Sequence, residues 1–588
     1  MGPKKKKKSS GKKKVSKAEQ LRLQKEEEER RLKEEEEAQF QAQQEEAARL
    51  EKERIEQEQL EKLEAKDQER RESELAELHL LEQKFLSAQQ WKTDYRACGK
   101  WEHYLSCDGS PDPTVLQEIN TFMSLWRDDQ NEDVQLVMEK GEQVLNLIEK
   151  LQFLILDTPP SEITEKETVQ YQESILELQN LLHQKYNGAT EHLLKSAVSF
   201  KENSNSIADI NETEEEIEKK SEILDILSQV QHPLTQEEMN EKEEAITDEN
   251  IVDLQQFVPV GGVYHIDALQ LPPQVKQIND WSMVEVLNVG LQAYPYPPEE
   301  AEDATYPPIQ ITLRLSDNVM YFEDPVIARW DPAGQQWRTD GISNITYERQ
   351  AKSITFEMRA FYTVALLQDA HLNMPYQAWE LQPTGTDEAL LIVTTVFATI
   401  QIQIKGNQCM LSSVVVEEKD VLSYVTGKWL SPVDLRAVLK KAGVNIFPGA
   451  YSHKYVSVNK KAPLAEVRAY QQMALVASAF AFAWSKWNLE AGQEQVVFKV
   501  SEHLKADSVK DWSLYMFNGQ KAQNLKITES SEAFSEELEE DSEFHSTLYH
   551  MLKDFASKEA IDKVETANFL FIDVVYQLLL ATRVLTYS

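Results

Sequence analysis

Residues 46–85 read EAARLEKERIEQEQLEKLEAKDQERRESELAELHLLEQKF, and their composition sets how the N-terminal part of the chain folds. The stretch contains neither glycine nor proline, and its dominant residues, Glu, Gln, Lys, Arg, Ala and Leu, favour a helix. Glutamates precede basic residues by four positions, as in Glu58–Lys62, and each such pair stabilises a helix by about 0.2–0.5 kcal/mol. The same composition extends towards the N-terminus, so the sequence predicts a long charged helix over residues 17–74, about 110 Å long if it continues to residue 90.

Apolar residues are sparse along this helix before residue 75 and follow no strict heptad, which favours a solvated single helix or a weak coiled coil. From there a stripe begins that we expect to be buried, formed by Leu75, Leu78, Leu81, Phe85, Trp91, Trp101 and Leu105. Helical patterns over 115–126, 133–156 and 167–200 follow, and together they predict a helical bundle over residues 75–202. Residues 203–256 predict an acidic linker that holds one helix.

At about residue 257 the spacing of the hydrophobic residues changes from a helical period to alternation at every second residue. Short candidate strands punctuated by Gly, Pro, Asn and Asp predict an antiparallel β-sandwich over residues 257–370. These strands are 263–269, 283–291, 309–315, 319–322, 326–330, 345–347, 353–358 and 362–367.

The last third mixes both periods and predicts an α+β domain over residues 371–588. Its candidate strands are 377–381, 389–395, 399–405, 408–416, 496–500, 512–517 and 525–528. Its candidate helices are 431–443, 463–487, 543–556 and 558–585. The predicted fold class is therefore a multi-domain α and β protein, with a long charged N-terminal helix, a helical bundle, an antiparallel β-sandwich and a C-terminal α+β domain.

The net charge divides the chain into a basic tip and an acidic body. The formal charge is −38, but residues 1–14 carry eight lysines and no acid, which leaves −46 on residues 15–588. Such a body repels phosphates, so we expect no nucleic-acid binding. We expect residues 1–16 to form a disordered basic arm that binds an acidic polymer surface, serves as a nuclear import signal or acts as a solubilising tail. Its lysines are Lys4, Lys5, Lys6, Lys7, Lys8, Lys12, Lys13 and Lys14.

The sequence carries no motif for catalysis or cofactor binding. Phosphate-binding loops of the GxxxxGK[ST] and GxGxxG types, HExxH, CxxC and the GxSxG elbow are all missing, so we expect no enzyme, cofactor or metal. Cys98, Cys107 and His103 lie near one another, but core packing is the stronger interpretation. Three cysteines favour a reducing compartment, and the apolar run at 473–484 is too short to span a membrane. An unrecognised hydrolase site among the many carboxylates stays open as a less favoured alternative.

Aromatic residues are the remaining candidates for partner contacts. Tryptophan and tyrosine are enriched at interaction hot spots, although core packing is the favoured interpretation for those in the bundle. The pair Trp330-Asp331 occurs once, without a repeat of about 40–45 residues, which excludes a WD propeller. The candidates for partner binding or core packing are Trp91, Trp101, Tyr104, Trp126, Trp330 and Trp337.

Several segments, taken together, resemble a known family. They are the basic tip, the charged helix, WKTDY at 91–95, WEHYL at 101–105, and Pro113, Glu118, Asn120 and Trp126, followed by ARWD at 328–331 and WRTDGI at 337–342. Along nearly its whole length the chain resembles the family of the axonemal inner-arm dynein intermediate chain called cancer susceptibility candidate one.

This resemblance implies a non-catalytic accessory subunit of the two-headed inner dynein arm, in the axoneme of a cilium or flagellum. It implies binding to tubulin or microtubules and to other axonemal dynein intermediate and heavy chains. Typical dynein intermediate chains carry WD propellers and this chain has none, so here the term describes location and not fold. Because tubulin tails are acidic, the lysines of the basic arm are the expected microtubule contact. A cytoplasmic or nuclear scaffold unrelated to cilia is the main alternative.

Overall fold

The computed structural model describes residues 17–107, 109–129, 133–158, 163–195, 249–274, 276–278, 281–283, 290–297, 306–416, 419–423, 425–504 and 511–588. The chain divides into two compact units, Met1–Ser73 and Glu74–Ser588. The predicted basic arm and nearly all of the predicted acidic linker lie outside the described residues.

The first unit is built on the charged helix predicted from the sequence. Helix α1 spans Lys17–Ser106 and therefore continues into the second unit. Ion pairs along its surface include Arg49–Glu53 at 3.6 Å and Lys52–Glu56 at 3.5 Å, and exposed pairs of this kind stabilise a helix only slightly. The apolar side chains that face solvent in the first unit include Leu32, Phe40, Leu50, Ile55 and Leu60.

Helices α2 (Leu116–Asp128), α3 (Val134–Asp157) and α4 (Glu165–Lys195) form a bundle with its own core. Asp133 caps α3 by accepting hydrogen bonds from two backbone N–H groups. Thr164 and Glu167 exchange backbone-to-side-chain hydrogen bonds at the start of α4, which is a capping box. The buried core residues of the bundle are Ile119, Met123, Trp126, Val144, Leu147, Ile148, Leu151, Tyr171, Ile175, Leu178, Leu181 and Leu182.

Two antiparallel sheets follow the bundle and share a core. The strands are β1 (Phe257–His265), β4 (Ile309–Arg314), β5 (Val326–Asp331), β6 (Gln336–Arg338), β7 (Ile342–Glu348), β8 (Ser353–Met358) and β9 (Thr363–Asp369). One sheet has the order β1-β9-β5-β6 and the other β4-β8-β7. Strand β8 alternates between buried and half-buried residues, as expected for a strand with one face on a core. Strands β2 (Lys276–Ile278) and β3 (Trp281–Met283) form a separate antiparallel pair.

The predicted strand at 319–322 is wrong, because these residues belong to no sheet. The backbone N–H of Met320 donates instead to the carbonyl of Ala442 at 2.9 Å. Tyr321 is buried, and its hydroxyl donates to the carbonyl of Val260. The alternation of apolar residues here comes from a loop that is buried against the segments of Val260 and Ala442. A period of two in the sequence does not distinguish such a loop from a strand.

The C-terminal part is built on a ten-stranded antiparallel sheet flanked by helices. Its order is β14-β13-β12-β11-β10-β16-β17-β18-β19, and β15 pairs with β13. The strands are β10 (Ala378–Gly385), β11 (Glu388–Thr394), β12 (Thr399–Lys405), β13 (Gln408–Val416), β14 (Lys419–Val421), β15 (Trp429–Leu430), β16 (Phe480–Ala483), β17 (Val496–Glu502), β18 (Ser513–Phe517) and β19 (Ala522–Leu525). The helices are α5 (Pro432–Lys441), α6 (Pro463–Val476), α7 (Trp487–Glu490), α8 (Leu548–Lys553), α9 (Lys558–Thr566) and α10 (Phe569–Thr582).

The predicted helix over 463–487 is wrong in its second half. Helix α6 ends at Val476, and β16 follows it as a strand paired with β10 on one side and β17 on the other. All residues of β16, FAFA, are buried, because both faces of this central strand are covered. A strand buried on both faces has no alternation to distinguish it from a buried helix.

Candidate interaction surfaces

The candidate microtubule-binding lysines, Lys4–Lys8 and Lys12–Lys14, lie outside the described residues. Their role therefore stays a prediction from charge. The described residues instead show a contact between residues 74–92 of α1 and the C-terminal part, for which the sequence gives no local signal.

The α1 segment from Leu78 to Phe85 packs against the core of the C-terminal part, and the described core of the bundle includes no residue of α1. Leu78 is buried in the same core as the ten-stranded sheet, and Leu81 and Phe85 pack beside it. The Phe85 ring lies 5.2 Å from that of Tyr576 in α10. The predicted stripe is thus correct for these three residues. It is wrong for Leu75, Trp101 and Leu105, which are exposed.

Two glutamates of α1 are bound by the segment around α8. Glu74 Oε1 is 2.8 Å from His545 Nδ1, and Glu74 Oε2 accepts from the backbone N–H of Ser546 at 2.8 Å. The other ring nitrogen of His545 lies 2.7 Å from Asp554 Oδ2. One turn further along α1, Glu77 accepts from Lys553 and lies 2.9 Å from His550 Nε2.

The pKa values of this cluster reflect pairing that outweighs burial. Burial alone would raise the pKa of the Glu74 carboxyl, but the bonds from His545 and Ser546 hold it below its ordinary value. Burial alone would lower the pKa of His545, but Glu74 and Asp554 raise it. Both groups are therefore stabilised in their charged forms, so the contact is an ion pair at pH values between the two pKa values.

Two lysines of α1 continue the contact towards its C-terminus. Lys84 Nζ donates to the carbonyls of Val564, Glu565 and Ala567 at 3.1, 2.9 and 3.0 Å. These carbonyls lie at the C-terminal end of α9. A cation there also interacts favourably with the negative end of the helix dipole. Lys92 Nζ lies 2.6 Å from Asp573 Oδ2 in α10. Residues 74–92 of α1, which we call the docked segment, are thus held by apolar packing and by four charged side chains.

The tryptophans predicted as partner anchors or core residues fall into different environments. Trp126 is buried in the bundle core, and Trp91 is half-buried and stacked on Tyr95 with ring centroids 5.0 Å apart. Trp101 and Tyr104 are 66% and 72% exposed, with ring centroids 6.0 Å apart. Burial therefore gives Trp126 a core role, and it leaves Trp101 and Tyr104 available for a partner.

Trp330 and Trp337 face each other across the pairing of β5 and β6, with ring centroids 5.4 Å apart. Both side chains are half-buried. Beside them Asp340 binds Arg329 at 3.0 Å and Arg338 at 2.8 Å, and these bonds hold the pKa of its carboxyl below the ordinary range. This arrangement stabilises a hairpin through a cross-strand aromatic pair.

A Ser–His–Asp arrangement is present near the end of β9, and it bears on the hydrolase alternative. His371 Nε2 is 3.0 Å from Ser452 Oγ, and His371 Nδ1 is 3.2 Å from Asp369 Oδ1. However, Ser452 is 2% exposed and its Oγ already accepts from the N–H of Gly449 at 2.8 Å. A serine nucleophile needs access to a substrate carbonyl, and the buried Ser452 lacks that access in the observed conformation. The hydrogen bonds among the three residues instead tie the loop that carries Ser452 to the end of β9.

Within the described ranges, no group of three or more His, Cys, Asp or Glu side chains is arranged to hold a metal ion. A groove of about 350 Å³ lies between α3 and α5. In the described part of the chain, no single helix is long and apolar enough to cross a membrane. Helices α9 and α10 reach that length only as a pair bent by 91°.

Comparison with known proteins gives consistent matches along the chain. The family model described as the N-terminus of cancer susceptibility candidate 1 matches residues 30–219. Dynein axonemal intermediate chain 7 of Macaca fascicularis is 44% identical over 722 aligned positions, covering 100% of both chains. The Homo sapiens protein of that name is 43% identical over 88% of this chain and 91% of its own length. The Ciona intestinalis homolog is 30% identical over 79% of this chain and 84% of its own length.

Proposed function

The chain belongs to the family of dynein axonemal intermediate chain 7, and we propose that it is a non-catalytic structural and regulatory subunit of an axonemal inner-arm dynein complex. The names of its relatives give the family a cytoskeletal location, the axoneme of a cilium or flagellum. In this role the chain associates with other intermediate and heavy chains of the arm and supports ciliary and flagellar beating.

The docked segment is the structural observation that carries this proposal. It holds residues 74–92 of α1 on the C-terminal part through buried packing and ion pairs, which is a structural and not a catalytic arrangement. The enclosed Ser452 favours a non-catalytic role, because its hydroxyl is not open to a substrate. Localisation of the tagged full chain in multiciliated cells tests the proposal. Signal along the axoneme supports it, and a nuclear or diffuse cytoplasmic signal favours the scaffold alternative.

Tubulin binding is the finer part of the proposal, and it rests on charge. The basic arm carries eight lysines, whereas the rest of the chain carries −46 and is repelled by acidic tubulin tails. Microtubule co-sedimentation of the full chain and of a chain lacking residues 1–17 tests this assignment. We expect the truncated chain to stay in the supernatant and added salt to release the full chain. Equal pelleting of both, unaffected by salt, would place the contact elsewhere.

A further inference from the structure

The end of α1 beyond the docked segment carries an apolar face that is open to solvent. Ala97, Cys98, Trp101, Tyr104 and Leu105 are all exposed, with Trp101 at 66% and both Tyr104 and Leu105 at 72%. Their spacing, i, i+1, i+4, i+7 and i+8, is the pattern by which an amphipathic helix packs on another element. We call these five residues the aromatic face.

The aromatic face points away from the C-terminal part of the chain. At about 100° per residue, its members lie on the side of α1 roughly opposite Leu78, Phe85 and Lys92, which hold the docked segment. Among the residues that the structure describes, a Cβ atom built at Gly99 would meet nothing within 4 Å, so they leave α1 unobstructed on another side at this level. Docking of residues 74–92 therefore orients the aromatic face outward and does not cover it.

The exposed surface is a long, narrow stripe. Trp101 and Tyr104 together expose roughly 200–350 Å², taking 150–250 Å² for each ring, and Leu105 adds to this. Leu80 and Leu86 lie on the same side of α1 and are 65% and 61% exposed, and between them and the aromatic face this side carries Ser87, Gln90 and Asp94. The stripe is thus apolar at both ends and polar in its middle, over about 38 Å. A stable interface buries roughly 800 Å² on each partner. A stripe about 38 Å long and one helix wide, about 10 Å, presents roughly 400 Å², which is the size of a small or transient contact with a second helix lying alongside.

One charge lies within the stripe and indicates the chemistry of the partner. Asp94 is exposed one turn before the aromatic face, and in the free chain it accepts a hydrogen bond from Gln90 Nε2 at 3.0 Å. Glu102, also exposed, borders the same face. A helix that covered these carboxylates with apolar residues alone would leave them without compensation, whereas a lysine or arginine opposite Asp94 satisfies the charge.

We propose that the stripe from Leu80 to Leu105 binds an amphipathic helix of another subunit of the dynein complex, with a basic residue of that helix facing Asp94. This inference rests on the proposed function, because the partner is a subunit of the same complex. The proposed surface is distinct from the basic arm. Its partner carries a positive charge, whereas the proposed partner of the basic arm, the tubulin tail, is acidic.

Site-specific photo-crosslinking in the full chain tests this assignment. The variant Tyr104→p-benzoylphenylalanine is expressed in ciliated cells, isolated axonemes are irradiated, and adducts are mapped by mass spectrometry. The expected adduct is a peptide of another dynein subunit that has apolar residues at helical spacing and at least one Lys or Arg. The same crosslinker at Phe555, which is 53% exposed in the C-terminal part, is the matched control and gives no adduct with that peptide. An adduct with this chain itself, with tubulin or with nothing overturns the proposal.

A charge reversal separates failure of this inference from failure of the proposed function. Asp94→Lys is expected to reduce recovery of the chain with inner-arm subunits by tenfold or more, whereas Glu173→Lys, at an exposed carboxylate of α4, leaves recovery unchanged. If the natural chain is recovered with the arm and Asp94→Lys is recovered equally, the surface assignment is wrong. If the natural chain is not recovered with the arm, the proposed function is wrong.

Discussion

Glu74 Oε1 lies 2.8 Å from His545 Nδ1, although the two residues are 471 positions apart in the chain. Both side chains are buried, at 5% and 3% exposure. A buried carboxylate and imidazole stabilise a structure only when they are paired, because desolvation of either one alone is unfavourable. This pair therefore specifies which part of α1 docks on the C-terminal part of the chain.

Docking of α1 is expected to weaken as the pH rises. Pairing raises the pKa of His545 above its ordinary value of 6.5, so its contribution is fully present below that value and is lost as pH rises through the raised pKa. Pairing lowers the pKa of Glu74 from 4.5, so its contribution is lost only as pH falls below that value. Docking is thus strongest between these limits.

Hydrogen exchange of peptides within residues 74–92 measures this dependence. After correction for the intrinsic exchange rate, we expect less protection at about pH 8 than at about pH 6. In His545→Gln most of this difference should vanish, while protection of α10 keeps its own dependence. Equal protection of the docked segment at both pH values in the natural chain would contradict the prediction.

Lys84→Met is expected to lower the free energy of unfolding by about 1–3 kcal/mol, because three carbonyls at the end of α9 lose their donor. The methionine keeps most of the apolar length of the side chain, so the loss reports the bonds and the charge. Lys100→Met, at an exposed position of the same helix, is the matched control and should change stability by less than about 0.5 kcal/mol. Urea unfolding followed by circular dichroism compares them, and equal midpoints would refute the role of Lys84.

Phe482→Ala tests the assignment of β16 as a central strand. Phe482 is fully buried and packs edge-to-face on Phe498 at 5.8 Å, so its removal should cost about 3–5 kcal/mol of stability. Leu489→Ala removes a side chain that is 57% exposed and should have little effect. Thermal unfolding of both variants distinguishes them. A loss for Phe482→Ala as small as that for Leu489→Ala would mean that β16 is not part of the core.

Ser452→Ala is expected to reduce stability by about 1 kcal/mol and to change no catalytic rate. The hydroxyl links His371 to the N–H of Gly449, so its loss leaves both groups without that partner. Assays of ester hydrolysis and ATP hydrolysis on the natural chain and the variant should give the same background rate. Measurable ester hydrolysis that disappears in Ser452→Ala would instead establish a hydrolase.

Local interactions made a large part of this fold predictable from the sequence. The composition of α1 favours a helix at every turn, and Ser431 with Pro432 starts α5 as their capping chemistry predicts. Strands such as β8, β11 and β12 bury alternate residues, so a period of two located them correctly. Where the conformation of a residue depends on neighbours within a few positions, the sequence pattern is sufficient to predict the secondary structure.

The errors occur where burial depends on residues far away in sequence. The sequence predicts a helix at β16, because both faces of this strand are covered and its residues therefore show no alternation. Trp101 was predicted to be buried, because an apolar residue on a helix indicates a partner but not whether that partner belongs to the same chain. The contact of Glu74 and Glu77 with His545 and His550 had no local signal at all.

The sequence by itself therefore determined the charged helix, the three kinds of folded architecture and the separation of a basic tip from an acidic body. These properties follow from propensity, periodicity and net charge, which are read along the chain. Only the tertiary structure decided that residues 74–92 dock on the C-terminal part and that Trp101 and Tyr104 remain exposed. The reason is that desolvation and pairing of buried groups depend on distances in space, and sequence separation does not determine those distances.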